Sequence, residues 1–589
     1  VNRDRPIRIA NCSGFFGDRL SAAREMVDGG DIDVLTGDWL AELTMLILHK
    51  QRARNNDLGY ASTFLTQMEQ VLGTCVDRGI KVVSNAGGLN PSGCADRVRQ
   101  IADRLGLDVS VAHIEGDDLM PRIDGLRPQL TNLDTGEPLT ADPVTANAYL
   151  GGWGIAAALD AGADVVVCPR VTDASLVVGP AAWWWNWERD DFDQLAGAVV
   201  AGHVIECGAQ TTGGNYSFFE EIPRRWEPPG FPIAEVGRDG SAIITKHPGT
   251  GGLVSVGTVT AQLLYEIAGP AYANPDVLAD FGTIALEQEA PDRVRIHEVR
   301  GSPPPPTTKV AINYDGGFRN RMTFVLTGLD QADKAAWAAS ALLDRLGGEE
   351  QFERVELSLV PARSDAPSQE QSSGRLHVTV RSPDERRVGR AFSSAVVELA
   401  LANYPGFFVS SPPTEAQPYG VYWPALVANE EIHQEVVFGD GRRLPIPPFG
   451  DWRTVSVHES PNGAGVGAGV GVEPVGPQPG EPLGDHFGAR SGDKGGNANV
   501  GVWARDAAGY AWLAQNLTAE AVGELIPEAA TMTVHRYELP NLLAVNFVIV
   551  GYLGRGVASN SAFDPQAKGL GEYLRSRPWP AAGIQATKR

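Results

Sequence analysis

A small set of carboxylates, one guanidinium and one thiol in the first 210 residues have types and spacings that suit catalysis. Asp38 and Glu42 stand four apart at the expected start of a helix. That spacing puts both carboxylates on one face, where they serve acid/base chemistry if the face lines a cleft; an N-cap with a solvated Glu is the alternative. Arg170 and Asp173 follow an apolar run in a turn. There a guanidinium can hold a substrate carboxylate beside an acid/base Asp, or the two form a structural ion pair. His203, Glu206 and Cys207 read as one helix. An imidazole four residues from a thiol can activate it as a nucleophile, whereas a buried free Cys is simply a small hydrophobe.

Several glycine-rich turns could hold the rest of a substrate. Asn85, Gly87 and Gly88 lie between a strand and a helix; Glu206 and Gln210 lead into Gly213 and Gly214; Lys246 precedes a turn containing Gly251 and Gly252; Arg490 and Lys494 flank small residues near the C-terminus. Backbone N–H groups of such turns, a helix N-terminus and a nearby cation suit phosphate, carboxylate or thioester oxygen; tight turns and a domain-docking loop are the competing readings. None matches GxGxxG, a P-loop, HExxH or GxSxG, so dinucleotide binding, nucleotide hydrolysis, zincin and α/β-hydrolase chemistry find no support. The cysteines, at 12, 75, 94, 168 and 207, lack a CxxC pair. They read as reduced thiols, not a disulfide frame, zinc site or iron–sulfur set, so no metal ligands are assigned and use of a divalent metal is left open.

The elements that must position these groups change along the chain. Over residues 1–275 short strands near 7–10, 32–35, 81–84 and 164–168 alternate with glycine-rich turns and helices. This predicts an α/β fold with a mostly parallel sheet, helices on both faces, and ligands beyond the carboxyl ends of the strands. Asn90 or Ser92 is the expected cap of the helix after Gly88, and Gly106 its stop. Residues 276–458 mix strands and helices as an α+β region. Residues 459–482 are almost wholly Gly, Ala, Val and Pro and read as a flexible linker; 483–589 form a last, small α+β domain.

A formal charge of −23 repels phosphate backbones and anionic lipid at long range, which argues against nucleic acid and membrane partners. No apolar run reaches the roughly 18 residues of a membrane span, and the opening residues carry no secretory pattern, so a cytoplasmic location is expected. The tryptophans at 183, 184, 185 and 187 fill a core or anchor a subunit contact.

The residues also carry a resemblance. Asn11-Cys12-Ser13-Gly14-Phe15-Phe16-Gly17-Asp18, residues 33–42, Asn85-Ala86-Gly87-Gly88, Arg170-Val171-Thr172-Asp173 and Glu206-Cys207-Gly208-Ala209-Gln210 resemble the AtuA family of acyclic terpene utilisation proteins. Arg490-Ser491-Gly492-Asp493-Lys494-Gly495 resembles the ferredoxin-like, βαββαβ C-terminal domain that accompanies it. The resemblance implies catabolism of branched, terpenoid-type acids as CoA thioesters. Joined to the residues above, it gives an expected lyase or hydratase, with a thioester hydrolase as close variant. Asp38, Glu42 and Asp173 are the acid/base groups, Arg170 the carboxylate clamp and Cys207 a secondary nucleophile. The substrate is an acyl-CoA or branched carboxylic acid, CoA enters only as part of it, and a homo-oligomer is expected. The alternative is a non-catalytic subunit bound to an acyl-CoA carboxylase through the tryptophans and the last domain. Mild proteolysis followed by mass spectrometry should cut between Glu459 and Pro482, giving fragments of about 460 and about 105 residues; a tract as resistant as the rest would show it to be packed.

Overall fold

The computed structural model describes residues 3–363, 365–448, 450 and 472–580. Five short strands, β1 (Ile7–Asn11), β2 (Val34–Gly37), β3 (Lys81–Ser84), β4 (Val111–Glu115) and β5 (Val165–Val167), form a parallel core in the order β1-β2-β3-β5-β4. Continuous apolar runs such as the three valines of β5 are what a parallel strand covered on both faces requires. Antiparallel strands extend both edges. Pro232–Val236, Ala242–Lys246, Arg293–His297 and Ala285–Ala290 continue from β1, while Gln434–Phe438 and Arg443–Ile446 continue from β4. The expected parallel sheet is therefore the centre of a mixed one.

Helices cover both faces. α1 (Ala22–Asp28), α3 (Ser62–Arg78) and α4 (Pro91–Leu105) bury Met26, Phe64, Met68, Val71, Val98 and Ile101 against Leu35, Val82 and Val165. The strands alternate, so Ile9, Val34, Val83 and Val166 face the other side, where α5 (Trp153–Asp160), α6 (Ser175–Trp185) and α7 (Phe192–Ile205) lie. α2 (Glu42–Arg54) follows β2. Asn90 caps α4 by accepting the Gly93 N–H, Pro91 occupies its first turn, and Gly106 ends it in the left-handed conformation. Trp184, Trp185 and Trp187 are buried, and their indole N–H groups donate to backbone carbonyls of Arg5, Val236 and Arg238. These three rings belong to the core, the first of the two readings of the cluster. Among the described residues no helix is long and apolar enough to cross a membrane.

The contacts divide the chain into two units, residues 1–313 with 422–589, and residues 314–421. In the second, strand Gly374–Ser382 pairs antiparallel with Arg354–Val360 on one side and with the segment from Phe318 to Leu326 on the other, and helices Gln331–Arg345 and Arg390–Glu398 cover Phe324, Val378 and Val380.

The C-terminal sheet belongs to the first unit. Its strands Gly488–Lys494, Asn497–Trp503, Ala544–Ile549 and Val534–Leu539 are antiparallel in that spatial order, with helices Ala507–Asn516, Ala519–Leu525 and Leu570–Arg575. This is the expected small α+β domain, though the elements run ββααββα and not βαββαβ. The segment read as a glycine-rich basic loop is a strand closed by a two-residue Gly495-Gly496 hairpin, with Lys494 paired to Asn497. Residues 459–471 of the expected linker lie outside the described residues. Its last part packs: the Val475 N–H donates to the Ala508 carbonyl and the Gly480 N–H to the Trp579 carbonyl. A Cβ on Gly476 would sit 2.4 Å from the Trp512 indole, so glycine here is a packing requirement.

Buried amides join this sheet to the α/β part. Asn499 donates to the Asn546 side chain, and Asn546 donates to the Ala268 carbonyl at 2.6 Å. Both asparagines are fully buried. Asn546→Leu strands these partners and should cost about 1–3 kcal/mol per group left unpaired. A lowered melting temperature with faster amide exchange around residues 264–268 is expected; an unchanged melting curve would show that water replaces the amide.

Candidate active site

The site forms beyond the carboxyl ends of β2, β3 and β5, where an open α/β sheet places its ligands. Asp38 follows β2 but precedes α2, which begins at Glu42, so the two carboxylates do not share a helix face. Asp38 is 6% exposed. It accepts hydrogen bonds from the Asn85 side chain at 2.5 Å and the Leu40 N–H at 2.9 Å, while Asn85 accepts from the Trp39 N–H at 2.8 Å. Asn85 thus holds the Asp38 loop. The Gly87 N–H donates to the Cys168 carbonyl at 3.0 Å, and a Cβ on Gly87 would lie 2.6 Å from that oxygen. Gly88 has φ +50° and is pressed against Leu48. These glycines allow close backbone packing, correcting the expectation of a ligand cradle.

Arg170, also buried, donates to the Leu40 carbonyl and to Asp173 Oδ1 at 3.0 Å, with its guanidinium 4.2 Å from the Tyr149 ring centre. Both bonds use Nη1 and tie Arg170 to Asp173 and the loop that follows β2. Glu42 pairs with Lys309 at 3.2 Å, and the Lys309 ammonium lies 5.0 Å from the Tyr149 ring centre. Burial and then the neighbouring Asp173 push the Asp38 carboxyl well above the usual range.

The second half of the site lies past α7. The helix ends at Ile205, so Glu206 and Cys207 leave it, and the expected His203/Cys207 face is absent. Asn11 donates to the Glu206 carbonyl at 3.0 Å, and Gly14 packs so closely that a Cβ would lie 2.5 Å from Cys207 carbonyl carbon. His203 Nδ1 lies 3.1 Å from Glu206 Oε1, and its ring meets Tyr272 and Phe281 at 5.1 and 5.6 Å. Burial and Lys494 lower the imidazole to about 4, leaving it neutral. Burial, then Asp173 and Glu266, raise the Glu206 carboxyl well above normal, so it holds its proton. Glu206 Oε2 and His203 Nε2 are buried without a hydrogen-bond partner. The Cys207 thiol is pushed up by burial, Glu206, Glu266 and Asp38, the reverse of what an activated nucleophile needs.

The C-terminal strand completes the cluster. Arg490 lies 4.2 Å from the Tyr265 ring centre and donates to Gln210; Lys568 donates to the Tyr265 hydroxyl. Gly492 has Tyr265 where a Cβ would be. Lys494 Nζ donates to the Glu266 carbonyl at 2.7 Å, and burial with Glu266 and Glu42 raises Asp493 to about 8. Glu266, Tyr149, Tyr272, Lys309 and Tyr422, the last with its ring centre 5.7 Å from the Lys309 ammonium, were not legible as site residues, and no sequence signal marks them.

Other expected binding groups serve turns. Lys246 pairs with Asp292 at 3.0 Å and donates to the Thr250 carbonyl at 2.9 Å. Gly252 packs on the Thr212 carbonyl, Gly251 on Pro228, Gly213 on Ile222 and Gly214 on Ala209. Their close packing replaces the phosphate cradle read from the sequence. Among the described residues no group of three or more His, Cys, Asp or Glu side chains is arranged to hold a metal ion.

The raised acids make stability fall as pH rises. Burial lifts Asp117 to about 7, despite its hydrogen bond from Asn147, and Asp493 to about 8. Each protonated carboxyl contributes fully below its unfolded pKa near 3.8, and the contribution is lost as pH climbs through the folded value. The stability of wild type relative to Asp117→Asn should therefore fall as pH climbs from about 4 to about 7, read as a difference in melting temperature because the lowered His203 imidazole contributes the opposite slope. A difference that grows in favour of wild type across this interval would contradict the burial of Asp117.

The AtuA family, described as acyclic terpene utilisation family protein AtuA, matches residues 7–438, and the AtuA ferredoxin-like domain matches residues 482–579. No curated protein matches the chain. The family is implicated in acyclic terpene utilisation, a catabolic role. With the α/β sheet, its buried acid cluster and the small C-terminal sheet all inside the matched segments, the chain belongs to the AtuA family and carries that family's ferredoxin-like domain.

Proposed function

We propose that the protein is an acid/base enzyme acting on branched, terpenoid-type acyl-CoA thioesters, of the lyase or hydratase class, with thioester hydrolysis as close variant. The observation that carries the reading is the contrast between two nearby carboxyl groups. Glu206 is buried with Oε2 lacking a partner, and burial with the neighbouring Asp173 and Glu266 raises its proton affinity, whereas Asp173 is ion-paired with Arg170. Environments that separate two carboxyls in this way assign one as acid and the other as base.

In a dehydration, Asp173 takes the proton from the carbon next to the thioester carbonyl. The electron pair forms the carbon–carbon double bond as the 3-hydroxyl leaves, and Glu206 supplies the proton that makes it water; hydration is the reverse. Arg170 fixes Asp173 and Asn85 fixes Asp38. Cys207 has no step here, and CoA enters only as part of the substrate. The family's catabolic association supports the substrate class.

Asp173→Asn keeps shape but cannot accept a proton, so turnover of branched 3-hydroxyacyl- and enoyl-CoA esters should fall by roughly 10²–10⁴-fold at nearly unchanged affinity. Arg170→Lys should lower kcat more than it raises KM, because a point-charge ammonium does not hold Asp173 and the Leu40 carbonyl together. If both variants merely melt earlier and turn over normally per folded molecule, the pair is structural. A wild type inactive across the ester panel that copurifies stoichiometrically with an acyl-CoA carboxylase would replace the enzyme reading by the binding one.

A further inference from the structure

The hairpin that carries Asp493 and Lys494 is fixed from several directions. The Gly496 N–H and Asn497 side chain donate to the two carboxylate oxygens of Asp134, at 3.1 and 2.8 Å. A side chain at Gly492 would collide with Tyr265, and one at Gly496 with the Gly554 carbonyl. These contacts deliver Lys494 to Glu266, a non-glycine residue at φ +57°. Glu266 is held on both sides: its N–H donates to Asn499 Oδ1 at 2.8 Å, and its carbonyl accepts from Lys494 Nζ at 2.7 Å. A left-handed non-glycine conformation persists where surrounding contacts over-determine it, and such residues concentrate at functional sites.

The Lys494 ammonium has three N–H donors, and its hydrogen bond goes to a backbone carbonyl, not to a carboxylate. It acts electrostatically on Glu206 and His203, whose Oε2 and Nε2 are the buried atoms without partners. It also lies 5.7 Å from the Tyr272 ring centre. Lys494 and His203 thus flank the same Tyr272 ring, and the ammonium keeps donors beyond the one used on the Glu266 carbonyl beside a group that holds unsatisfied buried atoms.

We propose that Lys494, supplied by the C-terminal domain, binds the carbonyl oxygen of the acyl-CoA thioester, so that the active site is shared between the α/β part and the C-terminal sheet. The inference rests on the acyl-CoA reading above and deepens it. When Asp173 removes the proton beside the carbonyl, negative charge develops on that oxygen; a fixed ammonium there stabilises it without reorganising at the moment of reaction. The charge returns to carbon as the 3-hydroxyl departs with the Glu206 proton, so atoms and electrons balance. Glu266 is then a positioning residue, its carbonyl aiming the amine.

The test compares two probes on the full chain by calorimetry: a branched acyl-CoA thioester and the matching S-alkyl-CoA thioether, which lacks the carbonyl oxygen. Wild type and Asp173→Asn should prefer the thioester by at least about tenfold. Lys494→Gln, which retains a donor for the Glu266 carbonyl, should lose that preference and about 10²-fold or more in kcat/KM. Lys494→Arg keeps the charge, guards against a folding defect in the Gln variant, and should restore part of the preference. A preference intact in folded Lys494→Gln overturns the role of Lys494 while leaving the acyl-CoA reading in place. Binding of neither probe to wild type overturns that reading, and the Lys494 assignment with it.

Discussion

Crowding of carboxyl groups in a site with little water is the constraint around which this protein is organised. Burial and nearby carboxylates, Asp173 and Glu266 among them, hold the Asp38, Glu206 and Asp493 carboxyls above their usual range, and Arg170 and Lys494 offset part of that effect. A desolvated group of like charges cannot all ionise, so some must keep their protons. The cluster therefore contains hydrogen-bond donors and acceptors of one chemical type side by side. That is a demanding arrangement for stability and a useful one for proton transfer.

Holding it requires backbone segments to approach closely, which explains why the glycines are where they are. Gly14 lies against Cys207, Gly87 against Cys168 and Gly492 against Tyr265, each with no volume for a methyl group. Asparagines do the complementary work. Asn11 binds the Glu206 carbonyl, Asn85 binds Asp38, and Asn546 and Asn499 join the C-terminal sheet to the loop that carries Glu266. The motifs shared with the AtuA family are thus mainly the frame of the site, and only some of their residues face the chemistry. An amide suits the frame because it donates and accepts without adding charge where charge is already in excess.

The C-terminal domain has the same logic. Its hairpin contributes a cation to a site rich in acids, and its buried amides satisfy carbonyls of the loop beside Tyr265. Lys494 and Glu206 come from distant parts of the chain, so their placement depends on tertiary docking as well as on each local fold.

The sequence by itself determined the local elements. Apolar runs ending in glycine-rich turns specified β1, β2, β3, β5 and α4, because strand burial and helix capping are near-neighbour effects read in a few residues. It also brought forward Asp38 and Asp173, since carboxylates in the turns after strands fall where an α/β sheet gathers ligands. The roles were decided by the tertiary structure alone. Spacing could not reveal that α7 stops before Cys207, that Arg170 turns to the Leu40 carbonyl, or that Lys246 is neutralised by Asp292. Nor could it find Glu266 or Lys309, whose partners are hundreds of residues away or in another layer. Proton affinity depends on desolvation and on every charge nearby in space, and neither quantity exists until the chain has folded.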